Sequence, residues 1–304
     1  MLDACVGIDA VVAYDALSGS PGQAERQHWN VGAGPSGIAV DVERRQAVVF
    51  SQFDRTVSTF SLRSDFTELV DDRSAPSAVE KVALPALPNM STQQVIGRML
   101  FHASGDVRIS SDGRACASCH PDGRDDAITW ATPEGPRRSI TLAGRVGKTA
   151  PYSWDGNATT IDAHLSATFR RLSGTGLRSF EREALVAYVS SLPVPPARVV
   201  EDKAKVDRGR RIFVSPEAGC SGCHSGSSLT DGMNHDVGSK RSADKAGTFN
   251  TPSLHLVGGT GPFFHDGRYA SLAELLVKSD GKMGHTGHLT NADIDALATY
   301  LETL

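Results

Sequence analysis

The chain of 304 residues is 39% hydrophobic, carries a formal charge of −4 and contains only 5 cysteines. That length accommodates two or three domains. A mildly acidic chain without a basic block excludes nucleic acid as a partner, and no stretch approaches the roughly 18 apolar residues of a membrane span.

The chain opens on Met1-Leu2-Asp3-Ala4, which lacks the basic and long apolar regions of a secretory signal. Residues 10–15, 37–42, 46–51 and 56–62 read as short strands, separated by Gly, Ser, Asp and Arg. Cys5, in the apolar run Ala4-Cys5-Val6-Gly7-Ile8, reads as a buried strand residue. Residues 1–70 are thus a small all-β segment. The run Gly34-Pro35-Ser36-Gly37-Ile38-Ala39-Val40-Asp41, followed by Phe53-Asp54-Arg55-Thr56-Val57-Ser58, resembles a blade of the YVTN-like β-propellers. A propeller needs at least four blades of about 40 residues. Only about one and a half such blades fit here, so the segment reads as part of a propeller, with a β-hairpin cap as the alternative. Residues 71–90 are rich in proline, show no helical period and read as a linker.

Beyond the linker stand Cys116-Ala117-Ser118-Cys119-His120 and Cys220-Ser221-Gly222-Cys223-His224. Cys-x-x-Cys-His is the attachment pattern of c-type haem. Two thiols three positions apart reach the two vinyl groups of one porphyrin, and the adjacent imidazole binds its iron. Chance would supply roughly 0.003 matches in a chain of this composition. A zinc ribbon places its Cys pairs about 15–20 residues apart, far closer than these. A thioredoxin-like pair would not recur with a trailing His, and a disulfide within either pair closes too small a loop to stabilise much. Two covalently attached haem c groups are therefore expected, held by Cys116, Cys119, Cys220 and Cys223 and by the irons' ligands His120 and His224. Haem c is attached outside the cytoplasm, so a periplasmic or otherwise exported protein is expected, with its export signal upstream of Met1.

One unit occurs twice. Each copy has an opening helix (Gly97-Arg98-Met99-Leu100-Phe101; Gly209-Arg210-Arg211-Ile212-Phe213) and then a haem motif. A turn follows (Thr149-Ala150-Pro151-Tyr152-Ser153-Trp154-Asp155-Gly156; Thr260-Gly261-Pro262-Phe263-Phe264-His265-Asp266-Gly267). A closing helix ends each copy, with Ala184 to Val189 matching Ala296 to Leu301. Residues 91–195 and 196–304 are read as the two haem domains, joined at Leu192-Pro193-Val194-Pro195-Pro196. The fold class expected is mainly α: two tandem cytochrome c-like domains behind a small β segment.

The paired motifs, the Gly-Pro-Arg and Ala-Pro-Tyr-Ser-Trp-Asp-Gly runs, and Phe249-Asn250-Thr251-Pro252-Ser253-Leu254 with Phe264-His265-Asp266-Gly267 resemble the bacterial di-haem cytochrome c peroxidase superfamily. That superfamily includes the di-haem enzymes that mature methylamine dehydrogenase. The resemblance covers roughly residues 91–304. It implies electron entry at one haem from a small donor protein, a cytochrome c or cupredoxin, and an oxidant such as peroxide at the other. It also implies that Trp154 lies between the haems as an electron relay; a large core residue is the alternative.

A haem iron held by His has one further axial position, and its occupant separates electron transfer from chemistry. Met283, in a Gly-rich loop before the last helix, is the candidate for the second haem; Met233, His285 and His288 are rivals. The repeat sets Leu172 opposite Met283, and leucine cannot bind iron. His164, on a helix expected over Thr160 to Leu172, is the candidate for the first haem, with a propionate-contacting or surface role as the alternative. Arg137 and Arg138 are expected to pair with haem propionates, since guanidinium binds carboxylates bidentately; Arg98, Arg145 and Arg268 are further candidates. Two departures from the family stand out. Its catalytic Glu sits in an insertion missing here, where Glu181 and Glu183 open a helix, and its calcium-binding Asn is replaced by Arg138. These count against efficient peroxide cleavage and against calcium.

Overall fold

A computed structural model describes residues 1–20, 24–62, 78–85, 87 and 89–304. Helices make up 27% and strands 20% among the described residues, so the expected mainly α class is wrong. The reason is twofold. Seven strands precede the first helix, and the helices are short, from 4 to 12 residues, with long loops between them.

The chain divides into two compact units, Met1–Cys116 with Leu177–Tyr188 and Ala117–Gly176 with Val189–Leu304. In the first unit, strands β1 (Leu2–Cys5), β2 (Ala10–Tyr14) and β3 (Glu25–Asn30) form an antiparallel sheet. Strands β4 (Pro35–Asp41), β5 (Gln46–Ser51), β6 (Thr56–Ser61) and β7 (Glu80–Ala83) form a four-stranded antiparallel meander. β5 alternates strictly between exposed and buried residues, the pattern of a sheet with one face in a core. Val11, Ala13, Trp29, Val31, Ala47, Val49 and Phe60 make that core, with the Trp29 and Phe60 rings stacked at 4.5 Å. Cys5 ends β1, half-buried. β7 lies inside the stretch expected as a linker; residues 71–77, 86 and 88 of that stretch lie outside the described residues.

Helix α1 (Thr92–His102) starts at Ser91, whose hydroxyl accepts from the Gln94 N–H while the Gln94 side chain accepts from Ser91 N–H. This reciprocal cap satisfies two donors that a helix start leaves free. α1 crosses α4 (Ser179–Ser190) at Gly97, where a Cβ would lie 2.0 Å from the Ala184 carbonyl oxygen. Phe101 and Tyr188 meet edge to face at 5.4 Å.

The second unit repeats that crossing. α5 (Lys203–Phe213) meets α7 (Asn291–Leu301) at Gly209, where a Cβ would lie 2.1 Å from the Ala296 carbonyl oxygen, and Phe213 packs on Tyr300 at 5.4 Å. The turn segments repeat too: bridges join Tyr152 to Ala158 and Phe263 to Tyr269, and Ser153 and Phe264 both take positive φ, 75° and 76°. Helix α3 (Ile161–Arg171), the hairpin β8 (Thr129–Thr132) and β9 (Gly135–Arg138), the ribbon β10 (Asn234–His235) and β11 (Phe249–Asn250), and α6 (Leu272–Lys278) complete this unit. Its core gathers Phe213, Leu272, Leu275, Leu276, Ile294, Leu297 and Leu301. No helix among the described residues is long and apolar enough to cross a membrane.

Candidate cofactor-binding site

The second Cys-x-x-Cys-His motif begins with Gly219 at φ 70°, a conformation glycine adopts at little cost. It leads into a tight turn over Cys220–Gly222. His224 is buried, and its Nδ1 lies 3.3 Å from the Leu229 carbonyl oxygen. A carbonyl only accepts, so Nδ1 is the donor and Nε2 keeps a free lone pair for a metal. Burial pushes the imidazole pKa below its ordinary value. Burial also raises the thiols of Cys220 and Cys223, the latter with help from Asp231, so neither is a free thiolate. Cys223 shares a cluster with Asp231 and His235, where an Asp231–His235 hydrogen bond of 2.7 Å already engages the other two side chains.

Cys220, Cys223, His224 and Met283 line one cavity of about 480 Å³ inside the second unit. That is the scale of a cofactor pocket, about 300–1,000 Å³. Leu272, Leu275, Leu276, Leu297 and Leu301 give it apolar walls, and Trp154 and Arg138 also face it. Met283 arrives on a loop fastened on both sides. The Asp280 carboxylate accepts the backbone N–H of Thr286 at 2.6 Å and of Gly287 at 2.9 Å, and His285 N–H donates to the Ala218 carbonyl at 2.9 Å. Gly284 lets the loop approach the motif: a Cβ there would lie 2.6 Å from the Ala218 oxygen and 3.3 Å from the Cys220 Sγ. Met233, the rival ligand, is 60% exposed.

These residues fit a haem. The cavity has two protonated thiols, an imidazole with its Nε2 free, a thioether and apolar walls. Two buried donors that face it, Asn250 Nδ2 and Arg138 Nε, have no partner among the described residues, as walls built around a ligand with acceptor oxygens would leave them.

The first motif forms the single-turn helix α2 (Cys116–Cys119). His120 repeats the tautomer logic, with Nδ1 3.1 Å from the Arg124 carbonyl oxygen. His164 lies on α3, half-buried, its ring 6.4 Å from that of Tyr152. Burial pushes its pKa down to about 4, with Arg171 and His120 adding repulsion. Leu172 caps α3.

The arginines divide. Arg137 pairs with two carboxylates, Asp155 at 3.1 Å and the fully buried Asp244, and lies over the Phe249 ring. It does not line the cavity. Arg138 does; it pairs with Asp125 and donates to the carbonyls of Thr260 and Pro262. Arg98 binds the Gln52 side chain at 3.2 Å, and Arg268 pairs with Asp266 at 2.8 Å. Trp154 is half-buried, and its Nε1 donates to the Arg138 carbonyl at 2.8 Å. Glu181 accepts from Arg178 N–H and pairs with Arg108 at 2.7 Å, which holds its carboxyl below the usual range. Glu183 is exposed. Asp280, Asn250 and Asp125 belong to this site yet escaped sequence reasoning; an Asp before a Gly-rich loop reads as an ordinary turn residue.

No family model matches the chain. The chain is 27% identical over 256 residues to a methylamine utilization protein MauG of Methylorubrum extorquens, covering 65% of this chain and 71% of that protein. It is 27% identical over 319 residues to the hydrazine synthase subunit gamma of Kuenenia stuttgartiensis, covering 84% and 90%. Among solved structures, Kuenenia stuttgartiensis hydrazine synthase superposes with a TM-score of 0.63 at 19% identity, covering 72% of this chain and 89% of that one. A variant of the diheme peroxidase BthA from Burkholderia thailandensis gives 0.52 at 17%, covering 70% and 85%. The chain is a relative of the di-haem cytochrome c peroxidase superfamily. The propeller reading of residues 1–70 gains no support from these comparisons.

Proposed function

We propose that this protein is an exported di-haem c-type oxidoreductase of peroxidase-like kind. The observation that carries the reading is the cavity lined jointly by Cys220, Cys223, His224 and Met283. Cys116 and Cys119 would hold the first haem with His120 as ligand, and Cys220 and Cys223 the second with His224 and Met283. When bound, the haems supply one-electron chemistry, with entry at the second from a small donor protein and an oxidant such as peroxide served at the first.

The chain's own residues divide that work. As a ligand of the second haem, the Met283 thioether would favour the reduced iron and exclude exogenous ligands. The Asp280 loop holds that sulfur in place. Trp154 offers an aromatic ring on the wall of the second site. Neither Glu181 nor Glu183 is placed to act as the family's catalytic Glu: Glu181 is engaged by Arg108 and Glu183 faces solvent. A general acid typically contributes about 10²–10⁴-fold, so peroxide turnover is proposed to be slow.

His164 supports a second reading, an electron-transfer protein with both irons six-coordinate, because burial keeps its imidazole unprotonated and so able to bind a metal. Electron paramagnetic resonance of the oxidised protein separates the two. A high-spin ferric signal identifies an open first site, whereas two low-spin signals identify the electron-transfer form. Peptide mass spectrometry that finds no haem on either motif sinks both.

A further inference from the structure

Three buried charged side chains on the cavity wall do not balance; Asp236 and Lys282 also line it, the first exposed and the second half-buried. Arg138, Arg145 and Asp125 all face the cavity that Cys220, His224 and Met283 line. Asp125 is committed: one oxygen pairs with Arg138 and the other accepts from the Thr141 hydroxyl at 2.6 Å. Arg145 is buried, 7% exposed. Its Nε donates to the His255 carbonyl oxygen at 2.8 Å, and its Nη2 turns to the same oxygen. Among the described residues no carboxylate pairs with it. Two guanidiniums thus share one carboxylate in a buried wall.

An isolated buried cation costs several kcal/mol unless it is paired. Arg145 feels that cost: burial, with repulsion from Arg138, pushes its pKa down to about 10 despite the attraction of Asp125. The wall is one anion short. A second unmet need faces the same cavity, the buried Asn250 Nδ2, a donor without an acceptor among the described residues. A cation and a neutral donor left over in one pocket call for a ligand bearing carboxylate oxygens.

We propose that Arg145 is the counter-ion of a propionate of the second haem and that Asn250 Nδ2 donates to a propionate oxygen. This rests on the cofactor reading above. It reassigns the role expected of Arg137, whose charge Asp244 and Asp155 already neutralise. Arg138 is left as the partner of Asp125. Arg145 then has a function beyond neutralisation. A fixed buried cation disfavours the extra positive charge of the oxidised iron, so it raises the reduction potential of that haem.

The test is a redox titration of the haem-loaded protein at pH 8, where a released propionate stays ionised. Peptide mass at Cys220–Cys223 and the methionine-to-ferric-iron charge-transfer band are recorded beside it. Arg145→Gln should keep the haem attached and the band in place, and shift the one-electron equilibrium of the second haem about tenfold toward the oxidised form, about 59 mV. Arg145→Lys, which keeps the charge, should stay near the parent value. Asn250→Asp sets an acceptor where a donor is needed and should lower the potential too; it carries the test if Arg145→Gln does not fold. Unmoved potentials in Arg145→Gln and Asn250→Asp overturn the proposal. So does a shift in Arg145→Lys as large as in Arg145→Gln, which would mean that Arg145 serves only to anchor the His255 carbonyl. A parent protein without haem at Cys220–Cys223 overturns the cofactor reading itself; attached haem with unmoved potentials overturns this proposal alone.

Discussion

The Asp280 carboxylate accepts the backbone N–H of Thr286 at 2.6 Å and so closes the loop that carries Met283. The same oxygen takes the Gly287 N–H. Those two N–H groups hold the carboxyl below its usual range. Because the folded-state pKa is depressed, the stabilisation is full above the unfolded value of about 3.9 and is lost as pH falls through the folded one. In the haem-loaded protein, Asp280→Ala should weaken the methionine charge-transfer band at neutral pH, and the parent should lose that band only in strong acid. A band that survives in Asp280→Ala means the loop is held by other bonds.

Gly209 tests the helix crossing. A Cβ there meets the Ala296 carbonyl oxygen at 2.1 Å and the Tyr300 Cβ at 2.7 Å, both on a packed neighbour that cannot swing away. Gly209→Ala should destabilise the protein by about 1–3 kcal/mol, the usual cost of overpacking. Gly37→Ala, outside the haem motifs, has nothing within 4 Å and is the control. Chemical denaturation of both variants decides it.

Arg137 should be structural rather than cofactor-binding. It neutralises the fully buried Asp244, and removing one partner of a buried pair costs about 3–5 kcal/mol. Arg137→Gln should therefore lower the denaturation midpoint sharply while leaving the potential of the second haem close to the parent value. A potential shift without loss of stability would return Arg137 to the cofactor.

His164 can be tested directly as a ligand of the first site. If its imidazole binds the iron, His164→Gln should convert one low-spin ferric signal to high-spin and leave the signal of the second haem untouched. An unchanged spectrum places His164 outside the coordination sphere.

Much of the site was legible in the order of residues. Two thiols and a histidine within five positions form a local device, so Cys116, Cys119, His120, Cys220, Cys223 and His224 needed no knowledge of the fold. The repeat was readable for the same reason: Gly97 and Gly209 both stand where two helices touch, and only glycine fits. The mainly α expectation fails because the strands of residues 2–83 and the length of the loops, on which the haem motifs carry no information, set the actual proportions.

Sequence alone determined the motifs, their duplication and the superfamily likeness, because each rests on residues close together in the chain. Tertiary structure decided which distant side chains share a wall. It withdrew Arg137 into a buried pair with Asp244 and brought Arg145, Asn250 and Met283 to one cavity. An arginine's role depends on the anion it meets, and that anion is set by contacts across the fold rather than by neighbours along the chain.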